Sequence, residues 1–491
     1  METKGNEVRL VKDDTELCNV VYGVLKTHIQ FGVYHYGDAL PTMEHAAGSF
    51  FVSLDTIRRA YLRLQKDGYI TISQNVGSVV IKDYSEQQIE DHVQLFFSQR
   101  KNALIDLSKS IGPLTGHAQW LGLKNAPAKM LNSTPLSDAN HTYPPTFAFD
   151  YIMTAYASLG NDLLLRLLWQ IFTFFEAPFF STPKNPWHMS VVTEYAPRSL
   201  EFCLKKDWDS LRGSIRSAQD SISLSLCRFY EERITMPGPS QEIPFTWSPY
   251  KKASQICYSL AMDLLTSISR GQYPADTFLP SLSQLSKERN VSVSTVRRAL
   301  SLLNGVGATK SFKRIGTKVL SYKETAKNCD FTKPVVQKRM LDMAQSLQIL
   351  ALSCRDVSEI TISSLDTDAI QDCLKRLSGL KERQQYELIT YATLDMLRQY
   401  SPYEAVRTVY TELLQQLFWG YTLYSIWKKS DDKKDLYISC FETFSRSLKE
   451  ADAVRFSEKL EELLMHEFHF TISNLVRSGI KEAEELLIPA H

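Results

Sequence analysis

At 491 residues with 44% hydrophobic side chains and a formal net charge of +1, the chain has the length of three or four folded domains, and its composition excludes a disordered or fibrous polymer. Met1–Glu7 lacks an apolar signal core, and the most apolar stretch, 163–180, is interrupted by Arg166, Glu176 and Pro178, so neither a secretion signal nor a membrane span is expected. Eight cysteines (Cys18, Cys203, Cys227, Cys257, Cys329, Cys354, Cys373 and Cys440) without a CxxC pair suit reduced thiols in a cytoplasmic protein, with a redox-sensing thiol as the alternative.

The first patterned window runs from Gly32 to Val80. Thr42 starts a short helix, and Ser53 caps a second whose Ile57, Tyr61 and Leu64 face inward, leaving Asp55, Thr56, Arg58 and Arg59 outward. Thr71–Val80 reads as a β-hairpin with Ser73, Gln74 and Asn75 at its tip. Residues 85–245 read as helical: Tyr156–Asn161 leads into Leu163, Leu164, Leu167, Leu168, Ile171 and Phe172, and Asp207 precedes Ile215, Ile222 and Leu226. The aromatic cluster Trp169, Phe172, Phe174, Phe175, Phe179 and Phe180 has two readings, an apolar ligand pocket or plain core.

The second window begins at Gly271. Ser281 to Gln284 after Pro280 is a capping box, so a helix starts there and runs to about Arg289. Asn290-Val291 is the turn. Ser292 caps a second helix with Val296, Leu300 and Leu303 inward and Ser294, Thr295, Arg297 and Arg298 exposed on its first turns. Short hydroxyls and arginines there suit the phosphates and base edges of a DNA major groove. Gly305–Gly307 ends the helix, and Thr309–Leu320 reads as a hairpin made basic by Lys310, Lys313, Arg314 and Lys318. Residues 326–491 again read as helical, with Val406, Val409, Leu413, Leu414 and Leu417 in one helix and Asp452 ahead of Leu460, Leu463 and Leu464 in another. His466 and His469 share a helical face but lack the further ligands a zinc site needs, so ordinary polar positions are the simpler reading.

The two windows are one pattern written twice. At a constant offset of 239, Leu40-Pro41 meets Leu279-Pro280, Val52-Ser53 meets Val291-Ser292, Thr56 meets Thr295, and Arg58-Arg59-Ala60 meets Arg297-Arg298-Ala299; Leu64, Gly68, Gly77 and Val80 meet Leu303, Gly307, Gly316 and Val319. Such a helix, turn, helix and hairpin is a winged helix-turn-helix, and its expected partner is double-stranded DNA. Asp207 and Asp452 lie 245 apart, so the duplication is expected to span the whole chain. The copies differ in charge: residues 10–84 carry a net −1 and residues 250–325 a net +8. Neutralised phosphates supply most DNA affinity, so the second copy is expected to be the stronger contact.

Gly32 to Pro41, Val52 to Ala60, Asp67 to Ile70 and above all Val-Ser-Val-Ser-Thr-Val-Arg-Arg-Ala-Leu (Val291–Leu300) resemble the DNA-binding head of the GntR family of bacterial transcriptional regulators. The resemblance covers about a fifth of the chain. It implies that Arg58 and Arg297 read DNA and that Gly77 and Gly316 serve the wings. The family's two other operator-reading arginine positions hold Glu44 and Leu54 in one copy and Ser283 and Val293 in the other, so family operators do not transfer. The bodies resemble, more faintly, the all-helical effector domain of the FadR-like branch, through Asn161 and Asp207. That branch's metal histidines fall on Ile152 or Met153, Ala218 or Gln219, and near Leu463, so no metal or other cofactor is expected.

The expected fold is mainly α: winged helix-turn-helix domains at 10–84 and 250–325, each followed by an all-helical effector or dimerisation-like bundle, at 85–245 and 326–491. The expected function is a non-enzymatic, sequence-specific DNA-binding transcriptional regulator. The resemblance adds a small-molecule effector, a near-palindromic or asymmetric operator, and assembly as a pseudo-dimer within one chain or as a homodimer. The expected DNA contacts are Ser292, Ser294, Thr295, Arg297, Arg298, Lys310, Lys313, Arg314 and Gly316 in the second head, with Ser53, Thr56, Arg58, Arg59 and Gly77 in the first. A scaffold whose heads bind proteins is the alternative. An aminotransferase fusion is disfavoured because the bodies are helical, poor in glycine and duplicated.

Overall fold

Hydroxyl caps set where the short helices of each head begin. Thr42 Oγ1 accepts from His45 N at 3.2 Å to start Met43–Ser49, and Ser53 Oγ accepts from Thr56 N at 3.2 Å to start Leu54–Lys66. In the second head Ser281 and Gln284 close both arms of a capping box before Leu282–Glu288, and Ser292 caps Val293–Gly305. The computed structural model describes residues 15–50, 52–73, 77–126, 152–186, 189–248, 252–269, 271–321, 328–422 and 432–486. Outside them lie Met1–Glu7, the hairpin residues Gln74 and Asn75, and the expected boundaries at 10, 250 and 325–326.

Two compact units form: Met1–Trp247 with Tyr403–Ala405, and Ser248–Pro402 with Val406–His491. Each holds one head. A leading helix (Thr15–Gln30 or Lys252–Ser269) precedes the helix-turn-helix pair, and an antiparallel two-stranded wing follows. The wings pair Ile70 with Val80 and Thr309 with Val319, and isolated bridges Ala39–Val79 and Phe278–Lys318 add a third segment at equivalent places. Ile57, Ala60, Tyr61 and Leu64 are fully buried in the first head, as are Val296, Ala299 and Leu303 in the second. The turn expected at Asn290 is formed by that residue at φ 50°, and Gly68 and Gly307 leave the recognition helices at φ 75° and 73°.

In the first unit the body contains Glu86–Ser98, Lys101–Asn125, a short helix at 152–157, Asp162–Ile171, Met189–Lys205 and Trp208–Glu232. Asn161, fully buried, caps Asp162–Ile171 by accepting from Leu164 N at 2.9 Å. That helix continues through a π-helical turn, Phe172–Glu176, into Ala177–Phe180. The 162–180 stretch is long and apolar enough to cross a bilayer, and 67% of its apolar window is buried inside the protein. In the second unit the long helix Pro334–Ser363 is buried over most of its length and packs on Ala453–Arg477. Arg355 ties the two together by bonding Glu458 at 2.9 Å and Glu461 at 3.0 Å.

The duplication reaches into the bodies as backbone geometry. Asp207 (φ −86°, ψ 80°) caps Trp208–Glu232 and Asp452 (φ −87°, ψ 83°) caps Ala453–Arg477, each after a left-handed residue, Lys206 at φ 55° and Ala451 at φ 53°. All eight cysteines are free thiols, and burial raises those of Cys18, Cys257, Cys354, Cys373 and Cys440, which suppresses the reactive thiolate.

Candidate nucleic-acid interface

In the second head, Ser294, Arg297 and Arg298 stand exposed on Val293–Gly305, and Lys310, Lys313 and Arg314 stand exposed on the wing. The serines and threonine at the helix front are not independent groups. Ser292 Oγ lies 2.8 Å from both Ser294 Oγ and Thr295 Oγ1 while accepting from Thr295 N at 3.1 Å, so Ser292 spends its hydroxyl on the cap and Thr295 is half-buried. The wing is pinned to the recognition helix by a polar clamp that sequence reasoning missed. Asn304 Nδ2 donates to Ser311 Oγ at 2.8 Å, Thr309 Oγ1 donates to Asn304 Oδ1 at 2.8 Å, and Ser311 Oγ lies 2.9 Å from Thr317 Oγ1. The signal was there, since Asn304, Thr309 and Ser311 stand where the first copy has Gln65, Ile70 and Ile72.

The wing carries electrostatic repulsion that an anion would relieve. Lys310 and Lys318 are direct cross-strand partners, and like charges so placed destabilise a hairpin. Lys318 is partly offset by Asp276 at 2.7 Å, whereas Lys313 and Arg314 extend this positive surface to the tip. Arg314 holds φ 65° in the tip turn, and Gly316 holds φ 144° beside Phe278, whose ring would lie 3.2 Å from any Cβ there. The glycine is therefore needed to seat the wing.

The first head keeps this frame with weaker chemistry. Thr56, read from the sequence as outward, is 1% exposed and lies 2.8 Å from Ser53 Oγ, because it sits on the side of the cap that turns toward the core. Arg58 is exposed, but Arg59 is half-buried and faces Asp55 at 3.9 Å, an acid where the second head has Ser294. Farther along, Arg63 stacks on Tyr22 at 4.0 Å and bonds Asn19 at 2.6 Å. Gly77 turns into the second wing strand at φ 81°. Phe50, at the end of the turn helix, is buried and stacks on Trp169 of the body at 5.7 Å and 24°. Its counterpart by offset is Arg289, so this docking belongs to the first head alone.

The aromatic cluster divides between the two readings. Trp169, Phe175 and Phe179 are core, Phe174 packs on Phe245 at 5.5 Å, and Phe172 and Phe180 line a cavity. Ile152, Met153, Ala218 and Gln219 line the same cavity. His466 and His469 lie on Ala453–Arg477, and among the described residues no group of three or more His, Cys, Asp and Glu is placed to hold a metal ion. In the second body, burial raises Glu412 from 4.5 to about 7. The folded state then binds more protons than the unfolded one between those values, so its stability falls as pH rises through that window. Glu412→Gln is expected to raise stability at pH 8 by on the order of 1–2 kcal/mol and to leave it unchanged at pH 4, as read by chemical denaturation.

The family model described as bacterial regulatory proteins, gntR family, matches twice, at residues 17–80 and 259–319. Similar solved structures include a GntR protein of Streptococcus agalactiae, 16% identical over 43% of this chain and 99% of the other, with a TM-score of 0.21. A putative GntR transcriptional regulator of Rhodococcus sp. RHA1 is 12% identical over 44% of this chain and 97% of the other, at 0.26. The E. coli protein McbR/YncC is 15% identical over 44% and 98%, at 0.22. No curated protein matches the chain.

Proposed function

We propose that this chain, which matches the GntR-family model at residues 17–80 and again at 259–319, is a DNA-binding transcriptional regulator whose second head makes the main contact with double-stranded DNA. Ser294, Arg297 and Arg298 would read the major groove while Lys310, Lys313 and Arg314 track the adjacent backbone. The observation that carries this reading is the set of exposed basic side chains on one recognition helix and its wing, in a segment of net charge +8.

In the same proposal the first head, through Ser53, Arg58 and Arg59, adds register rather than most of the affinity. Asp55 opposes phosphate there. Two unequal heads on one polypeptide suit an asymmetric operator, and covalent linkage raises the effective concentration of the weaker one. Residues 85–245 and 326–491 act as effector-responsive bodies following heads at 10–84 and 250–325. Phe50 on Trp169 gives the first body a direct hold on its own head, so a body that shifts on binding a ligand changes that head's pose.

Selection of genomic fragments by the full chain tests the proposal. Enrichment of one sequence is expected, with log affinity falling against log salt by about 0.9 for every phosphate neutralised. Failure to enrich any sequence, or binding indifferent to salt, overturns it in favour of heads that bind protein.

A further inference from the structure

The first body encloses a cavity of about 90 Å³ between Lys101–Asn125, Asp162–Ile171 with its π-helical turn, and Trp208–Glu232. A cavity of about 150 Å³ holds benzene, so this one suits a molecule of about four non-hydrogen atoms. Its walls are mainly apolar, among them Ile111, Leu168, Ile171 and Phe172, and among the described residues no lysine, arginine or histidine lines it.

One charged residue does. Glu176 ends the π-helical turn and faces this apolar space, and burial raises its carboxyl from 4.5 to about 7. Two amides also line the cavity. Gln119 Nε2 donates to Tyr195 Oη at 2.7 Å, and Gln219 Nε2 reaches Gln119 Oε1 at 3.4 Å. Gln219 lies over a shelf made by Gly112 and Gly116, where a Cβ on either glycine would meet its Oε1 at 3.0 or 3.2 Å. The helix is thus kept bare at two turns to seat that amide.

We propose that this cavity is the effector site of the regulator and that its ligand is a compact, mostly apolar amine whose ammonium is held by the Glu176 carboxylate, with the Gln119–Gln219 amides as further acceptors. The inference rests on the ligand-responsive reading above. Above about pH 7, where the Glu176 carboxyl is ionised, an acidic ligand would place a second negative charge in a space whose described walls offer no cation to meet it, and an uncharged one would leave the carboxylate uncompensated. An ammonium supplies both the counter-charge and charge-assisted hydrogen bonds.

The probes are n-propylamine, n-propanol and propionate, offered to the full chain at pH 8 and followed by calorimetry and thermal shift. Expected is saturable binding at one site, with the amine about tenfold tighter than the alcohol and propionate weakest. Glu176→Gln is expected to erase the preference for the amine while leaving the alcohol unaffected, and Ala218→Leu, which fills the cavity, to weaken all three. Equal binding of the three probes by the wild-type chain, absence of saturable amine binding, or a preference that survives Glu176→Gln overturns the assignment. DNA binding is titrated on the same preparations. Intact salt-dependent DNA binding without amine selectivity rejects the effector assignment alone, and amine selectivity without DNA binding rejects the regulator reading alone.

Discussion

Replacing Arg297, Lys313 and Arg314 together by alanine is expected to lower affinity for the selected DNA by roughly 10²–10³-fold, and to flatten the salt dependence by about 0.9 for each phosphate that is no longer neutralised. All three side chains are exposed, on the recognition helix and on the tip of the wing, so the weaker binding should come with little change in thermal stability. Arg58→Ala in the first head is the matched comparison. It removes one arginine from a helix that also presents Asp55, in a head with net charge −1, and should cost less than about tenfold. Fluorescence anisotropy at three salt concentrations separates the two heads. If Arg58→Ala weakens binding as much as the triple substitution does, the assignment of the second head as the leading contact is wrong.

Gly122→Ala is expected to destabilise the first unit by about 3 kcal/mol, one methyl group notwithstanding. Gly122 is buried on Lys101–Asn125, and a Cβ there would overlap the Ala155 carbonyl oxygen and stand 2.7 Å from its carbon. Those are backbone atoms in the short helix at 152–157, which side-chain hydrogen bonds tie to Lys101–Asn125. Ser158 Oγ donates to the Gly122 and Ala155 carbonyls at 3.1 and 2.7 Å, and the buried Tyr156 donates to Thr115 O at 3.2 Å. The helices must separate to admit the methyl, because neither can swing a side chain aside. Gly213→Ala is the opposite-sign control: that glycine is exposed on Trp208–Glu232 with nothing within 4 Å of its Cβ position, so alanine should stabilise by about 0.5–1 kcal/mol through helix propensity. Thermal melts of the two variants distinguish close packing from a general intolerance of substitution, which would lower both.

Much of the fold was legible in the sequence because it is built from local rules. Thr42, Ser53, Ser281, Ser292, Asn161, Asp207 and Asp452 each cap a helix whose start lies within three residues, and the hairpins announce themselves by short runs around a glycine. The leading helices Thr15–Gln30 and Lys252–Ser269 carry a local signal as well, although the motif's pattern begins only after them; Leu17, Val21, Val24 and Leu25 repeat at helical spacing and are buried. Of the expected DNA contacts, Thr56 shows the limit. At the same register as half-buried Thr295, it is closed into the first head, where the neighbouring packing differs.

The sequence by itself determined that a winged head occurs twice, that the second carries the positive charge, and that both bodies are helical, since these follow from spacing, capping and charge within segments of a few tens of residues. Only the tertiary structure decided that Phe50 docks on Trp169 and that Glu176 meets Gln119 and Gln219 around one cavity. Those groups lie up to about 120 residues apart in the chain, and their meeting depends on how helices pack, which no local period encodes.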